Sequence, residues 1–194
     1  MKKLDLSFKN NRKATQGCLL LSDPFINDPY FTRVAILLCR HNKKETFGFV
    51  LNNFIELDLN QNEGDFIEIP SRISIGGPVE ENNLFYIHSL GSRLKDSEQI
   101  VGNLYFGGDY ESLRELLDQE PSLLKEIRFF IGYSGWDYQQ LEDEMKEHAW
   151  VAVSNITENE ILSSTSDDFW KECMNKQGPK FQLISQFPLD PNDN

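Results

Sequence analysis

Few residue types in this sequence could do chemistry, and most of them fall next to short apolar runs. His41 closes the run Val34–Cys39, and Asn52 and Asn53 close the run Phe47–Leu51. A histidine is neutral or charged near physiological pH, so His41 could serve as a base or a ligand. Its structural alternative is a strand-end ring bonded to backbone. Cys39, His41 and the distant His88 lack metal-ligand spacing, so no metal is expected. Asp28 precedes Pro29, which holds it extended, and its carboxylate suits a local turn that ties off nearby N–H groups. Gly76-Gly77-Pro78 marks a backbone turn with a positive φ or a close approach. No GxxxxGK[ST] or GxGxxG occurs, which removes the phosphate-cradling loops, and no cofactor is expected. Gly132-Tyr133-Ser134-Gly135-Trp136 nearly matches a nucleophile elbow, but Trp136 stands in place of the last glycine. The acids that follow leave little attraction for an oxyanion, so Ser134 reads as the cap of a helix starting near 136.

These groups need elements to hold them. Apolar runs at 17–22, 34–39, 47–52, 72–76, 84–88, 127–132 and 150–154 suit strands, with a weaker candidate at 102–106. The pairs 34–39 with 47–52 and 72–76 with 84–88 read as hairpins. Asp109 is placed to cap a helix over 110–119, in which Leu113, Leu116 and Leu117 share a face and which Pro121 stops. A second helix is expected over 136–148, with Tyr138, Leu141 and Met145 towards the sheet and Glu142, Asp143, Glu144 and Glu147 largely away from it. A third is expected over about 166–175, ending at Gly178-Pro179. The fold class is therefore mixed α and β (α/β, α+β), with a partly antiparallel sheet. Residues 15–194 read as a single compact domain, preceded by a basic arm at 1–14.

Composition narrows the function classes. The 194 residues carry 19 Lys and Arg against 31 Asp and Glu, a net charge of −12. A uniformly basic nucleic-acid binder is excluded, since a duplex is held mainly by cations. Residues 1–54 hold nine basic and four acidic residues, whereas residues 109–172 hold five and sixteen. Any contact with DNA would fall to the arm with Lys2, Lys3, Lys9, Arg12 and Lys13. No run of about 18 apolar residues is present, so no membrane span is expected. Three widely spaced cysteines (Cys18, Cys39, Cys173) fit a reduced, cytoplasmic protein better than a disulfide framework.

Taken in order, the motifs carry a resemblance. Gly17-Cys-Leu-Leu-Leu-Ser-Asp-Pro24, Asp28-Pro-Tyr-Phe-x-Arg33-Val, Cys39-x-His41-Asn42 and Gly48-Phe-Val-Leu-Asn52 are followed by Gly76-Gly-Pro-Val79 and His88. Gly132-Tyr-Ser-Gly-Trp136, Gln140-Leu-Glu142 and Trp150 complete the set. The ordered series resembles the bacterial AlgH/YqgE family from about Gly17 to Trp150. The resemblance implies a bent, bifurcated sheet folded into a pseudo-barrel with flanking helices, and the family's usual label of transcriptional regulator. It brings no catalytic activity and no cofactor. Ala often replaces the Ser134 residue in that family, which a serine enzyme could not tolerate.

Asp28, Arg33, His41, Asn52, Gly76, Gly77 and His88 sit at expected strand ends and turns within these motifs, and are the expected ligand-binding residues. Asp28, Arg33, His41, Asn52 and Gly77 are further expected to lie together at one sheet edge. The leading expectation is regulation through a protein partner or a small ligand, because no helix-turn-helix with a basic recognition helix is present. The alternatives are an enzyme acting on a small polar substrate through His41, Asn52 or His88, and DNA binding by the basic arm. Trp136 and Trp150 are expected to clamp the intervening helix onto the sheet, with their N–H groups finding polar partners.

Overall fold

The apolar runs near the N-terminus become strands buried on both faces. In the computed structural model, which describes residues 7–26, 28–56 and 72–188, β1 (Leu19–Ser22), β2 (Ala35–His41) and β3 (Thr46–Val50) lie side by side and antiparallel. Lys2 and Lys3 fall outside the described residues. Ala35, Leu37 and Cys39 enter one apolar cluster, while Ile36 and Leu38 enter another on the opposite face. Burial on both sides is why these runs are continuous rather than alternating.

The remaining strands are β4 (Phe54–Glu56), β5 (Arg72–Ile75), β6 (Val79–His88), β7 (Glu98–Val101), β8 (Leu104–Phe106), β9 (Ile127–Trp136) and β10 (Trp150–Val153). They are ordered β10-β1-β2-β3-β9-β6-β8-β7, with β5 on β9 and β4 on β5. Strand β9 serves two sheets. Its end, Ser134–Trp136, pairs with β3, while its first half pairs with β6 and, in parallel, with β5. Gly132, at φ 66°, stands at the changeover. A Cβ there would lie 2.5 Å from the Gly77 oxygen, so glycine is required by both conformation and space. The result is a bent, mostly antiparallel sheet curled into a half-barrel, flanked by helices α1 (Tyr110–Gln119), α2 (Gln140–Lys146), α3 (Glu158–Ser163), α4 (Phe169–Asn175) and α5 (Pro179–Ile184).

Three apolar layers hold this arrangement. The inside of the curl gathers Leu19, Leu37, Phe49, Phe130 and Val151 beneath Ile161, Trp170 and Phe181 of the last three helices. The outer face of β1–β3 is covered by α2 through Leu141, with Trp136 and Trp150. On the far wing, Leu113 and Leu117 of α1 cover Tyr86, Ile127 and Phe129. Asp109 caps α1 as expected, accepting from the Ser112 N–H at 2.8 Å. Arg128 is buried, and among the described residues no carboxylate pairs with it. It donates to the carbonyls of Leu51 and Ile161 and, at 3.2 Å, to Ser74 Oγ, pinning β9 to β5, α3 and the end of β3. Burial pushes its pKa down to about 9.

Several sequence-based expectations are corrected. The segment 132–136 is strand, so Ser134 caps no helix; it is buried and its hydroxyl donates to the Gly76 carbonyl at 3.0 Å. The expected helix 136–148 shrinks to α2, because β9 keeps its pairing with β3 through Trp136. The expected hairpin of 72–76 with 84–88 does not form, since β5 and β6 flank β9 on opposite sides. Within the basic stretch 7–14, Phe8 is buried against Phe181, at 6.1 Å between ring centroids, and Asn10 Nδ2 donates to the Ala152 carbonyl at 2.8 Å. The described part of that stretch is therefore attached to the domain. No described helix is long and apolar enough to cross a membrane.

The tryptophan clamp is formed, through a partner expected on the solvent side. Both indole N–H groups donate to one oxygen of Glu144, at 2.8 Å from Trp136 and 2.7 Å from Trp150, with the rings edge to face at 6.0 Å. Gln140 holds the other oxygen at 2.8 Å. Glu144 therefore turns inward from α2, and a carboxylate with two lone-pair-bearing oxygens can accept all three donors. Trp150→Ala should lower stability by about 3–5 kcal/mol, the usual range for removing a buried large ring. Glu144→Gln, which removes the charge from two hydrogen bonds, should cost about 1–2 kcal/mol. Urea denaturation of both variants checks this: a Trp150→Ala midpoint matching wild type would show the clamp to be idle.

Candidate functional site

The residues singled out from the sequence divide between the two ends of β2. Asn52 lies at the start of that strand, where Oδ1 accepts from the Ala35 N–H at 2.8 Å and Nδ2 donates to the Arg33 carbonyl at 2.9 Å. It extends the β2–β3 ladder past the end of β3. Arg33, at φ 51°, stacks over Trp170 at 5.5 Å and donates to the Phe187 carbonyl, while its burial lowers the guanidinium pKa. Asp28 forms the expected turn, its carboxylate accepting from the N–H groups of Tyr30 at 2.8 Å and Phe31 at 3.1 Å. His41 stands at the other end. Six strand steps of about 3.3 Å put it roughly 20 Å from Ala35, so His41 and Asn52 do not share one site.

The glycines and His88 are held by the fold itself. A Cβ on Gly76 would lie 2.4 Å from the Gly132 oxygen, and one on Gly77, at φ 152°, 2.4 Å from the Tyr133 carbonyl. The turn thus packs backbone against backbone on β9. His88 is fully buried. Its Nδ1 accepts from the Leu90 N–H at 3.2 Å, which places the ring proton on Nε2, 2.9 Å from the Gly107 carbonyl and 3.2 Å from Ser97 Oγ.

His41 remains, and it faces a cleft. The β2–β3 hairpin and the β9–α2 junction enclose about 290 Å³, lined by His41, Lys43, Lys44, Trp136, Tyr138 and Glu142 among others. His41 Nδ1 sits 3.0 Å from Thr46 Oγ1, its cross-strand neighbour. Nε2 lies 3.7 Å from Glu142 Oε1, close enough for an ion pair with a protonated ring but too long for a hydrogen bond. Among the described residues neither Lys43 nor Lys44 has a carboxylate within ion-pair distance. Tyr138 is 72% exposed, more than any other large hydrophobic side chain described. Gln139 beside it adopts a left-handed conformation, φ 65°, a geometry that non-glycine residues hold mainly where the surroundings impose it. The sequence pointed to His41 but missed Tyr138 and Glu142, which were assigned only to the two faces of a helix. Their exposure at a cleft follows from β9 running on to Trp136. No group of three or more histidines, cysteines and carboxylates placed to hold a metal occurs among the described residues, and Cys18, Cys39 and Cys173 are buried and unpaired.

The pH dependence of His88 follows from its surroundings. Burial lowers its pKa below the ordinary 6.5, opposed by the Gly107 hydrogen bond. The unfolded chain therefore takes up this proton before the folded chain does. Stability contributed by the neutral ring is complete above about pH 6.5 and is lost as the pH falls towards the folded-state value. An NMR titration of the His88 ring should give a midpoint below 6.5; a midpoint at or above that value would contradict the buried neutral ring.

Comparison with known proteins identifies the family and the fold. The chain matches the AlgH-like family model over residues 19–182. It is 38% identical to a UPF0301 protein of Parabacteroides distasonis, covering 95% of this chain and 98% of that one. It is 34% identical to a UPF0301 protein of Cytophaga hutchinsonii, covering 93% and 99%. In fold it is similar to the solution structure of the AlgH protein from Pseudomonas aeruginosa, with TM-score 0.67, 20% identity and coverage of 91% and 98%. A crystal structure of a Corynebacterium diphtheriae protein gives TM-score 0.72 at 20% identity, covering 92% and 95%. With the ordered motifs, the half-barrel and these matches in agreement, the chain belongs to the AlgH-like family.

Proposed function

We propose that this protein is a ligand-binding regulatory protein, and that its ligand is a small molecule bearing a ring and an acidic group, taken up in the His41 cleft. A transcriptional role would pass through that ligand or a protein partner rather than through reading bases. The observation that carries the reading is the state of the polar groups. Asp28, Asn52, Gly76, Gly77 and His88 are engaged in holding the fold, whereas among the described residues His41 Nε2 has no hydrogen bond and faces a cleft with two lysines that pair with no carboxylate. Lys43 and Lys44 supply charge for an acidic group, in a lining that also holds Asp137, Glu142 and the Arg40-paired Glu45, and Tyr138 supplies a face for a ring. The net charge of −12 opposes a phosphate backbone.

Titration of the labelled protein with indole-3-acetate, followed by amide and indole NMR shifts, tests the site. The expected shifts fall on His41, Lys44, Tyr138 and the Trp136 indole, and Tyr138→Ala together with Lys44→Ala should weaken binding at least tenfold. Shifts confined to the Asn52 end of β2 would refute it. In a gel-shift assay near physiological salt, no sequence-specific duplex binding is expected. A dissociation constant of about 10⁻⁸ M or tighter would instead favour direct DNA recognition.

One observation favours a second reading. Thr46 hydroxyl, His41 imidazole and Glu142 carboxylate stand in a row, the order of a nucleophile, its base and an orienting group. The cross-strand pairing of Thr46 with His41 accounts for the first contact without catalysis. Hydrolysis of p-nitrophenyl acetate above background that Thr46→Val abolishes would establish the enzymatic reading.

A further inference from the structure

A second cleft, of about 670 Å³, opens where the curled sheet does not close on itself. The strand order ends in β10 on one side and β7 on the other, and no ladder joins these two edges among the described residues. Side chains bridge the seam instead. Gln16 Nε2 donates to the carbonyls of Gln99 and Ile100, at 3.1 Å each. Gly17, at φ 84°, approaches Val101 so closely that a Cβ on it would lie 2.5 Å from the valine Cβ. On the other wall Glu158 Oε1 accepts from the Asn103 N–H at 2.9 Å, tying the β7–β8 turn to the start of α3.

The walls of this cleft have a definite chemistry. Val101 and Ile156 supply accessible apolar surface, with Leu104 and Ile161 buried behind them. Leu104 and Ile161 belong to the cluster that fills the curl, so the cleft is the mouth of the enclosed interior. Val101 is 43% exposed and lies along this mouth. Hydroxyls and amides of Ser154, Thr157 and Asn159 line the rim, and the lining contains no Lys, Arg or His. Glu158 is the one charged residue of the lining, and one of its oxygens is already engaged by the Asn103 N–H. An anionic head group would meet this carboxylate with no cation to offset it.

We infer that the mouth of the half-barrel is a binding site for a small uncharged amphiphile, an aliphatic body carrying a hydroxyl or amide head. The body covers Val101 and Ile156, above the buried Leu104 and Ile161, and the head exchanges hydrogen bonds with the neutral rim. The volume falls within the range of small-molecule sites, and the mouth of a curled sheet is a common place for one. This site shares no lining residue with the His41 cleft and stands independently of the reading given for it.

Nile red fluorescence with the full chain tests the inference. Saturable binding is expected, displaced by 1-octanol and at least tenfold less effectively by octanoate at pH 8. Val101→Trp and Asn159→Trp would each plug the cleft from an exposed position, and each should weaken Nile red binding at least tenfold with an unchanged amide spectrum. Should either variant fold poorly, methyl NMR of the wild-type chain gives a separate reading, with octanol expected to shift Leu104, Ile156 and Ile161. Absence of saturable Nile red binding, its survival in both well-folded tryptophan variants, equal displacement by octanoate, or methyl shifts only elsewhere would each overturn the assignment.

Discussion

The architecture depends on one strand belonging to two sheets. β9 pairs with β6 and β5 along its first half and with β3 along its end, and the change of partner needs a backbone that leaves the ordinary β region. Gly132 provides it at φ 66°, and the turn at Gly76-Gly77 fits against it with no room for side chains on either side. The buried Ser134 hydroxyl bonds the Gly76 carbonyl, and the Gly76 N–H bonds the Ile131 carbonyl at 2.7 Å. Backbone groups freed by the bend are thus satisfied by the turn that the bend makes possible. A local conformation with this many close neighbours tolerates little substitution, because each added atom would displace main chain rather than a flexible side chain.

From that bend the positions of both clefts follow. Because β9 continues to Trp136 beside β3, the start of α2 is delivered next to the β2–β3 hairpin, and Tyr138 and Glu142 come to face His41. Because the sheet curls without closing, β7 and β10 are left as edges, and side-chain amides cover them: Gln16 on β7 and Asn10 on β10. Such capping blunts strand edges that would otherwise offer unpaired backbone groups to another chain. The Glu144 carboxylate, shared by two indoles, fixes α2 and so keeps one wall of the His41 cleft in place.

The chemistry-bearing residues are legible in the sequence to different degrees, and the reasons are physical. Asp28 as a turn former and Asp109 as a helix cap depend on a few neighbouring residues, and both formed as expected. Gly76 and Gly77 were correctly marked as a close approach, though its object, the backbone of β9, lies more than fifty residues away. His88 looked like a possible functional histidine and proved a buried ring held by Gly107 and Leu90, because its partners come from the loop after β8 and from its own turn. Glu144 was placed on the solvent face by helical periodicity over 136–148. That periodicity starts from a helix begun four residues too early and ended two too late, so the face is misassigned.

What the sequence by itself determined was local and compositional. It determined the class of fold, the principal strands, helix α1 with its cap, the surplus of acid that argues against a duplex partner, and, through the ordered motifs, the family. These rest on neighbours in the chain or on the whole composition, and need no three-dimensional arrangement. Only the tertiary structure decided which strands are partners, where the sheet bends and which polar residues are free. Strand pairing between β5, β6 and β9 joins residues about fifty positions apart, and apolar runs buried on both faces carry no mark of their partner. Whether a polar side chain holds the fold or faces a ligand depends on whether a donor or acceptor reaches it. Asn52 and His41 look alike along the chain, yet main chain at Arg33 and Ala35, around the start of β2, reaches both polar atoms of one amide, while the Nε2 of the imidazole is left at an open cleft.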